Sequence, residues 1–432
     1  ITLIPLIFPI YIVEFFTNLW YNHFISERQI RDLWKRRTKM QIVPTLNFGG
    51  NCREAIHMYE KAFNGKINCL ITYGEANDPE YNSLLKENQK EYIYHSELVL
   101  NNQRIIMSDH VDIEFQTCYS NFLTIMFDTV ARSFLKGVAG CTPWNKLDKV
   151  KFLCPVPGYD RHFGVTEYFG VEMINVPMTP EGPDMDMVEK LVAEDDAIKG
   201  IWCVPKYSNP QGYTYSDETV RRFANLKPAA KDFRIFWDNA YIIHHLYDDR
   251  QDHLLNIIEE CEKAGNPDMV YEFVSTSKVS YPGAGIAALI SSEANIKEAQ
   301  EYMNFQIIGH DKLNQLRHVK FFQNLDGVMN QMKKHAEILR PKFEAILQVM
   351  DQELSGLGIA SWTKPNGGYF ISFDAMEGCA KKIVAKAKEA GLTMTGAGAT
   401  YPYHNDPQDS NIRIAPSFPT PVSYTHLTLP TK

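Results

Sequence analysis

The chain has 432 residues, room for two or three domains with cores of their own, so a single small module is excluded. Apolar residues make up 44% and charged residues 22%, which is ordinary globular usage and excludes long disordered or collagen-like stretches. The net charge of −8, with no basic block longer than the four cations between Lys35 and Lys39, argues against a nucleic-acid partner.

Residues 1–39 are foreign to the rest: an apolar run to Val13, an aromatic-rich stretch, then RDLWKRRTK. The apolar run is short of the roughly 20 residues a bilayer demands, and Pro5 and Pro9 disturb a helix there. Its basic residues follow it, whereas a signal peptide has them first. We read residues 1–39 as a non-native-looking leader, Met40 as the natural start, and no membrane partner. The eight cysteines (52, 69, 118, 141, 154, 203, 261, 379) are scattered, with no C-x-x-C, and read as free thiols in a reducing cytoplasm.

From Met40 the pattern is regular. IVPTLNF alternates as a strand, CREAIHMYEKAFN places Ala55, Met58, Tyr59 and Phe63 on one helical face, and INCLITYG returns as a strand. EYIYHSELVL and QRIIMSD around Asn101-Asn102 predict a hairpin. This βαβββ unit occupies residues 40–125. His95 and Glu97 alternate onto one strand face, but two ligands are fewer than a metal site takes, and no metal is expected.

Beyond residue 126 short apolar runs alternate with helical patterns: KFLCPVP (151–157), EMINVPM (172–178), GIWCVPK (200–206), FRIFWDNAY (233–241), VYEFVSTSK (270–278) and GIAALISS (285–292). Asp184 or Asp186 and Ser216 suit helix N-caps between them. Continuous apolar strands separated by helices predict a largely parallel sheet covered on both faces, with the site at the strands' carboxyl ends. Val328, Met332, Ala336, Leu339, Phe343, Ile346 and Met350 then mark a long amphipathic stretch over 326–354, interrupted and kinked at Pro341. Residues 355–418 read as a smaller α+β unit. VSYTHLTLPTK fits no periodicity, and residues 420–432 read as an artefactual tail.

The strand ends carry the chemistry. Lys278 leaves a β-branched run beside Ser275 and Ser277; desolvation lowers such an amine's pKa and makes it a Schiff-base nucleophile toward an aldehyde cofactor, against the plain alternative of a lysine emerging into solvent. Asp238 ends IFWD, where a buried carboxylate needs a partner such as a protonated pyridine nitrogen; helix capping is the plain alternative. Asn209, in a turn stiffened by Pro210 and Gly212, and Tyr241 could hydrogen-bond a cofactor oxygen, and Tyr159 on a Pro-Gly turn could stack on a flat ring; turn chemistry or core packing are the alternatives. Arg413 is a lone cation in an apolar strand, suited to an α-carboxylate or to a salt bridge.

Taken in order, KFLCPVPGYDRHF, GIWCVPKYSNPQGYTYSDETV, DFRIFWDNAYIIHHL, STSKVSYPGAGIA, LNQLRHVKF, GIASWTKPNGGYF and NIRIAPSFP closely resemble the fold-type I pyridoxal-phosphate aminotransferases, within them the class I-c aspartate aminotransferase-like group, over residues 124–419. Segments LNFGGNCREAIHMYEKAFNGK and YHSELVLNNQRIIMSD resemble half of a glyoxalase-like (vicinal-oxygen-chelate, PhnB-type) module. The first resemblance implies an α/β large domain with a mostly parallel sheet over residues 126–325 and a small α+β domain over 326–419. It implies pyridoxal 5′-phosphate as cofactor, an amino acid such as aspartate and a 2-oxo acid as substrates, a homodimer, and a cytoplasmic enzyme. For the residues it implies Lys278 as Schiff-base lysine and proton carrier, Asp238 on the pyridine nitrogen, and Asn209 and Tyr241 on the 3′-oxygen. Tyr159 would lie against the ring, Ser275 and Ser277 at the phosphate, and Arg413, with Asn209, at the substrate carboxylate.

The chain departs from that family at its front, where the half module replaces the N-terminal arm, a first sheet strand and the phosphate-cradling turn. The join falls near CYSNFLTIMFDT, where Ser120 and Thr124 are poor substitutes, and Ile286 stands where many relatives keep an arginine. Two other readings therefore stay open: a chimeric remnant without catalysis, and a glyoxalase-like binding module at the front.

Overall fold

The computed structural model describes residues 45–48, 52–76, 90–100, 103–109, 118–119, 122–280 and 283–417. The expectations for residues 1–39 and 420–432, for the Asn101-Asn102 turn and for Ser120 lie outside the described residues. The chain divides between Ile113 and Glu114 into two compact units.

The first unit runs β1 (Thr45–Phe48), α1 (Cys52–Phe63), β2 (Lys66–Thr72), a single turn α2 (Tyr73–Ala76), β3 (Ile93–Leu100) and β4 (Gln103–Asp109). The strands form one sheet in the order β1-β4-β3-β2, with β1 parallel to β4 and the other pairs antiparallel. The inward face of α1 differs from the expected one: Cys52, Ala55 and Ile56 are buried against Ile93 and Leu98 with Tyr59 beside them, while Met58 is 62% exposed. Helical geometry explains this, because the i, i+3, i+4, i+7 row that starts at Cys52 passes through Tyr59 and leaves Met58 off the stripe.

The second unit holds a mixed, mostly parallel sheet. Its strands are β5 (Cys118–Tyr119), β6 (Lys151–Val156), β7 (Glu172–Thr179), β8 (Gly182–Pro183), β9 (Ile198–Cys203), β10 (Arg234–Asp238), β11 (Val270–Ser275) and β12 (Ala287–Ile290), ordered β5-β12-β11-β10-β9-β6-β7-β8. Strands β6, β7, β9, β10 and β11 pair in parallel, whereas β12 and the short edge strands β5 and β8 pair antiparallel. The edge expected to lack a strand thus carries β5, from the CYSNF segment itself.

Alternation along these strands feeds two cores. Phe152, Trp202, Phe236 and Tyr271 face one side, where α3 (Phe122–Lys136) packs Ile125, Met126 and Val130. Their neighbours Leu153, Ile201, Ile235, Trp237 and Val270 face the other, against α5 (Met185–Glu194) and α6 (Asp217–Ala224), which follow α4 (Asp160–Tyr168) in the chain. Both faces being covered, the strands read as unbroken apolar runs. The helices start where their caps are: Asp184 accepts from Met187 N at 3.1 Å and Ser216 from Thr219 N at 3.2 Å.

After α7 (Ile257–Lys263), α8 (Glu293–Gln306) and α9 (Lys312–Phe322) comes α10 (Leu325–Leu354), which runs unbroken through Pro341. The expected interruption is absent because the buried stripe Met332, Ala336, Phe343, Ile346 and Met350 continues on both sides of the proline and holds the helix together. The last part pairs β13 (Ala360–Trp362), β14 (Ile371–Ala375) and β15 (Asn411–Ile414) as an antiparallel sheet with α11 (Ala380–Glu389). Its core joins Phe343, Ile346 and Met350 to Ile371, Phe373 and Ile412. Among the described residues no helix is long and apolar enough to cross a membrane, and Cys69, Cys141, Cys154, Cys203, Cys261 and Cys379 form no disulfide.

Candidate active site

Sheet order places the site. From β6 the chain moves outward to β7, and from β9 it moves the opposite way through β10 to β11, so the order reverses between β6 and β9. Crevices of open α/β sheets lie at such a reversal, beyond the carboxyl ends of the strands. Tyr159 follows β6, Asn209 follows β9, Asp238 ends β10 and Lys278 stands three residues past the end of β11, in a turn rather than at the strand end expected from VYEFVSTSK.

Asp238 is 2% exposed and held from two sides: Oδ2 lies 2.8 Å from His162 Nε2, and Oδ1 accepts from Ala240 N at 3.1 Å. The His162 ring stacks on Trp202 at 4.4 Å and 12°, and Trp202 Nε1 in turn donates to Thr166 Oγ1, so the carboxylate is fixed in direction as well as place. The Lys278 amine lies over the Tyr241 ring, 4.1 Å from its centroid. Burial pushes the amine's pKa down, and the charge of Asp238 and then the Tyr159 hydroxyl pull it partly back.

Tyr241 is the hub. Its hydroxyl is raised by burial and then by the Asp238 charge, while Arg413 and the Asn209 amide oppose the shift. Burial pushes the Tyr159 hydroxyl up to about 12, against the nearby charge of Lys278. Arg413 NH1 donates to Asp160 Oδ1 at 2.7 Å and to Asn209 Oδ1 at 3.2 Å, with the guanidinium 5.1 Å from the Phe370 ring centroid. Ser275 Oγ donates to Ser277 Oγ at 2.7 Å, on the turn that leads to Lys278.

The structure thus brings Tyr159, Asn209, Asp238, Tyr241, Lys278 and Arg413 within reach of one another, with Ser275 and Ser277 on the turn before the lysine. Thr124 is exposed on α3, and Ile286 meets the lysine turn through its backbone, donating to Thr276 Oγ1 at 2.9 Å. His95 and Glu97 lie in the other unit, where Glu97 accepts from Asn68 at 3.1 Å. Sequence reasoning missed Asp160 and His162. Both sit in the first turn of α4, after the N-cap Tyr159, where nothing in the neighbouring residues sets them apart from ordinary helix positions.

Three comparisons give the family. The family model described as aspartate amino-transferase matches residues 92–426, well over half of the chain. A Mycolicibacterium smegmatis protein assigned to the aminotransferases is 48% identical over 299 residues, covering 69% of this chain and 70% of that protein. The aspartate aminotransferase of Corynebacterium glutamicum is 46% identical over 298 residues, covering 69% and 68%. A crystal structure of an aspartate transaminase from the same organism superposes with a TM-score of 0.71 at 43% identity, covering 74% of this chain and 75% of that one. Fold and comparisons together define an α/β transferase. The chain belongs to the aspartate aminotransferase family and is a pyridoxal-phosphate-dependent aminotransferase.

Proposed function

We propose that the crevice holds pyridoxal 5′-phosphate and moves an amino group from an aspartate-like amino acid to a 2-oxo acid, with Lys278 as the reactive amine. The observation that carries this reading is the convergence of a desolvated amine and an oriented buried carboxylate on the same two tyrosines. The residues fit the group: the Asn209 amide nitrogen is buried without a hydrogen-bond partner among the described residues, an orphaned donor that a phenolic oxygen would satisfy. Lys278 Nζ would hold the aldehyde carbon, Asp238 the pyridine nitrogen, Asn209 and Tyr241 the 3′-oxygen, Tyr159 the ring face, and Ser275 and Ser277 the phosphate. When bound, the cofactor supplies an aldehyde for amines and an electron-withdrawing ring that acidifies the substrate Cα–H.

The chain's own residues do the rest. The carboxylate of Asp238 would hold a proton on the pyridine nitrogen of that group, and His162 keeps the carboxylate from turning away. Arg413, with Asn209, takes the substrate α-carboxylate and so orients Cα–H toward Lys278. Burial depresses the Lys278 pKa, which favours the free-amine form that can carry a proton between carbons.

The chain's surface supports a homodimer as part of the same reading: Leu313, Leu316 and Val319, three residues apart along α9, stand 68%, 47% and 64% exposed, an apolar stripe suited to a second copy. A cytoplasmic setting fits the free thiols. For residues 40–125 we propose the partial glyoxalase-like module, on the strength of the βαβββ order of β1, α1, β2, β3 and β4.

The test uses the purified full chain with pyridoxal phosphate. A visible absorbance band should appear, borohydride should fix the cofactor on the peptide containing Lys278, and Lys278→Ala should abolish both. Transfer from aspartate to 2-oxoglutarate then reads turnover. No band at saturating cofactor would overturn the proposal and leave a remnant of the family fold.

A further inference from the structure

The segment LNQLRHVKF has no part in the chemistry above, yet α9, which it forms, is built inside out. Its inward row, four residues apart, is Asn314, His318 and Phe322, while Leu313, Val319 and Phe321 face outward. Turning an amide and an imidazole inward where leucines are at hand costs desolvation unless they find partners. Asn314 Nδ2 and the half-buried His318 ring find theirs on the loop that carries Lys278, while Asn314 Oδ1 has none among the described residues.

Asn314 Nδ2 donates to Ala284 O at 2.9 Å, on the return side of the loop. His318 Nε2 lies 2.9 Å from Thr276 Oγ1 and 2.8 Å from Ser280 Oγ, one on each side of Lys278. Phe322 packs on Val279, the next residue. The imidazole is itself aimed: Nδ1 lies 2.9 Å from the Asn314 carbonyl, which can only accept, so Nδ1 carries a proton and the single Nε2 lone pair of the neutral ring accepts from one of the two hydroxyls at a time. From the other side Gly285 closes the loop, for a Cβ there would come within 2.5 Å of Ser277 Cα. Thr276 N donates to Ile286 O at 2.8 Å and completes the enclosure.

We infer that His318 and Asn314 are positioning residues for Lys278: the polar row of α9 clamps both limbs of the lysine loop and so fixes where its amine enters the crevice. The inference deepens the aminotransferase reading and rests on it for the role of Lys278, but the clamp itself is testable without cofactor.

In the cofactor-free full chain, His318→Ala should speed amide hydrogen exchange across residues 276–286 by roughly tenfold, about 1.4 kcal/mol, while β9 keeps its protection. His318→Gln, whose carbonyl oxygen can accept from one hydroxyl, should recover part of the protection, and Asn314→Ala should loosen 284–286 most. In the loaded protein His318→Ala should lower kcat with KM for the amino acid unchanged and shift the pH at which the visible band titrates. Unchanged exchange at 276–286, or a rise that β9 shares equally, would overturn the clamp. Wild-type protein that shows no band, while exchange responds as stated, would sink the aminotransferase reading and leave the clamp standing.

Discussion

Arg413 meets two acceptors in the free protein, and one of them is charged. Asp160 Oδ1 sits 2.7 Å from NH1, with the two side chains only 22% and 10% exposed. An α-carboxylate arriving on the rest of that guanidinium would stand about 5 Å from the Asp160 carboxylate, and at an effective dielectric of about 20 to 40 their repulsion is about 2–3 kcal/mol. Solvent reaching Asp160 screens this to about 1–2 kcal/mol. Asp160→Asn removes the charge and keeps an acceptor for NH1, so the guanidinium stays in place. KM for amino acids and for 2-oxo acids should both fall, about 5- to 30-fold, with a smaller fall at high salt. Asp160→Ala, which also frees NH1 to move, should gain less. The assay is initial rate against substrate concentration at several ionic strengths, backed by titrating the visible band with each amino acid. A KM in Asp160→Asn that is unchanged or higher would refute the reasoning, because it would mean that the substrate carboxylate does not share a guanidinium with Asp160.

Three further outcomes follow from the same structure. Asp232 is buried between Trp144 Nε1 at 2.8 Å and Lys199 Nζ at 2.7 Å, so Asp232→Ala strands a buried ammonium and should cost about 3–5 kcal/mol in urea unfolding; a loss under 1 kcal/mol would contradict the pairing. Burial, and then the charge of Lys278, hold the His244 ring at about 3, so the unfolded chain takes up a proton below the ordinary imidazole pKa of about 6.5 that the folded chain refuses until about pH 3. Stability should therefore drain away as pH falls through that window, and His244→Phe, matching the aromatic contacts with Tyr241 and Tyr369, should flatten the acid limb; an unchanged slope would count against it. Gly285→Ala pushes a methyl against the backbone of Ser277, and uptake of pyridoxal phosphate should slow at least about tenfold, whereas uptake at the wild-type rate would show that the loop gives way freely.

Which parts of the site could be read from sequence follows from the range over which each residue's signal acts. Asp238, Asn209 and Lys278 announce themselves locally, because each follows a buried apolar strand that leaves a charged or polar group where water is scarce, and a few residues on either side suffice to see it. The sheet was legible for the same reason, since covered faces force apolar side chains onto both sides of β6, β9, β10 and β11. The long helix was legible as well, because its apolar stripe recurs on both sides of Pro341 and outweighs the local defect there. Asp160, His162 and His318 carry no such local mark. Each is a polar residue on a helix, and its meaning lies in a partner 253, 76 or 42 residues away: Arg413, Asp238, Thr276. The same range explains why the reactive groups are flanked by residues of a different kind. A nucleophile or acid must be placed to within fractions of an ångström, and a strand end alone leaves its side chain free to rotate. That rotation is removed by hydrogen bonds brought in from distant elements: His162 from α4 on Asp238, and His318 from α9 on the loop of Lys278. Local sequence thus marks the reacting groups, while the residues that aim them become visible only once the chain has brought the partners together.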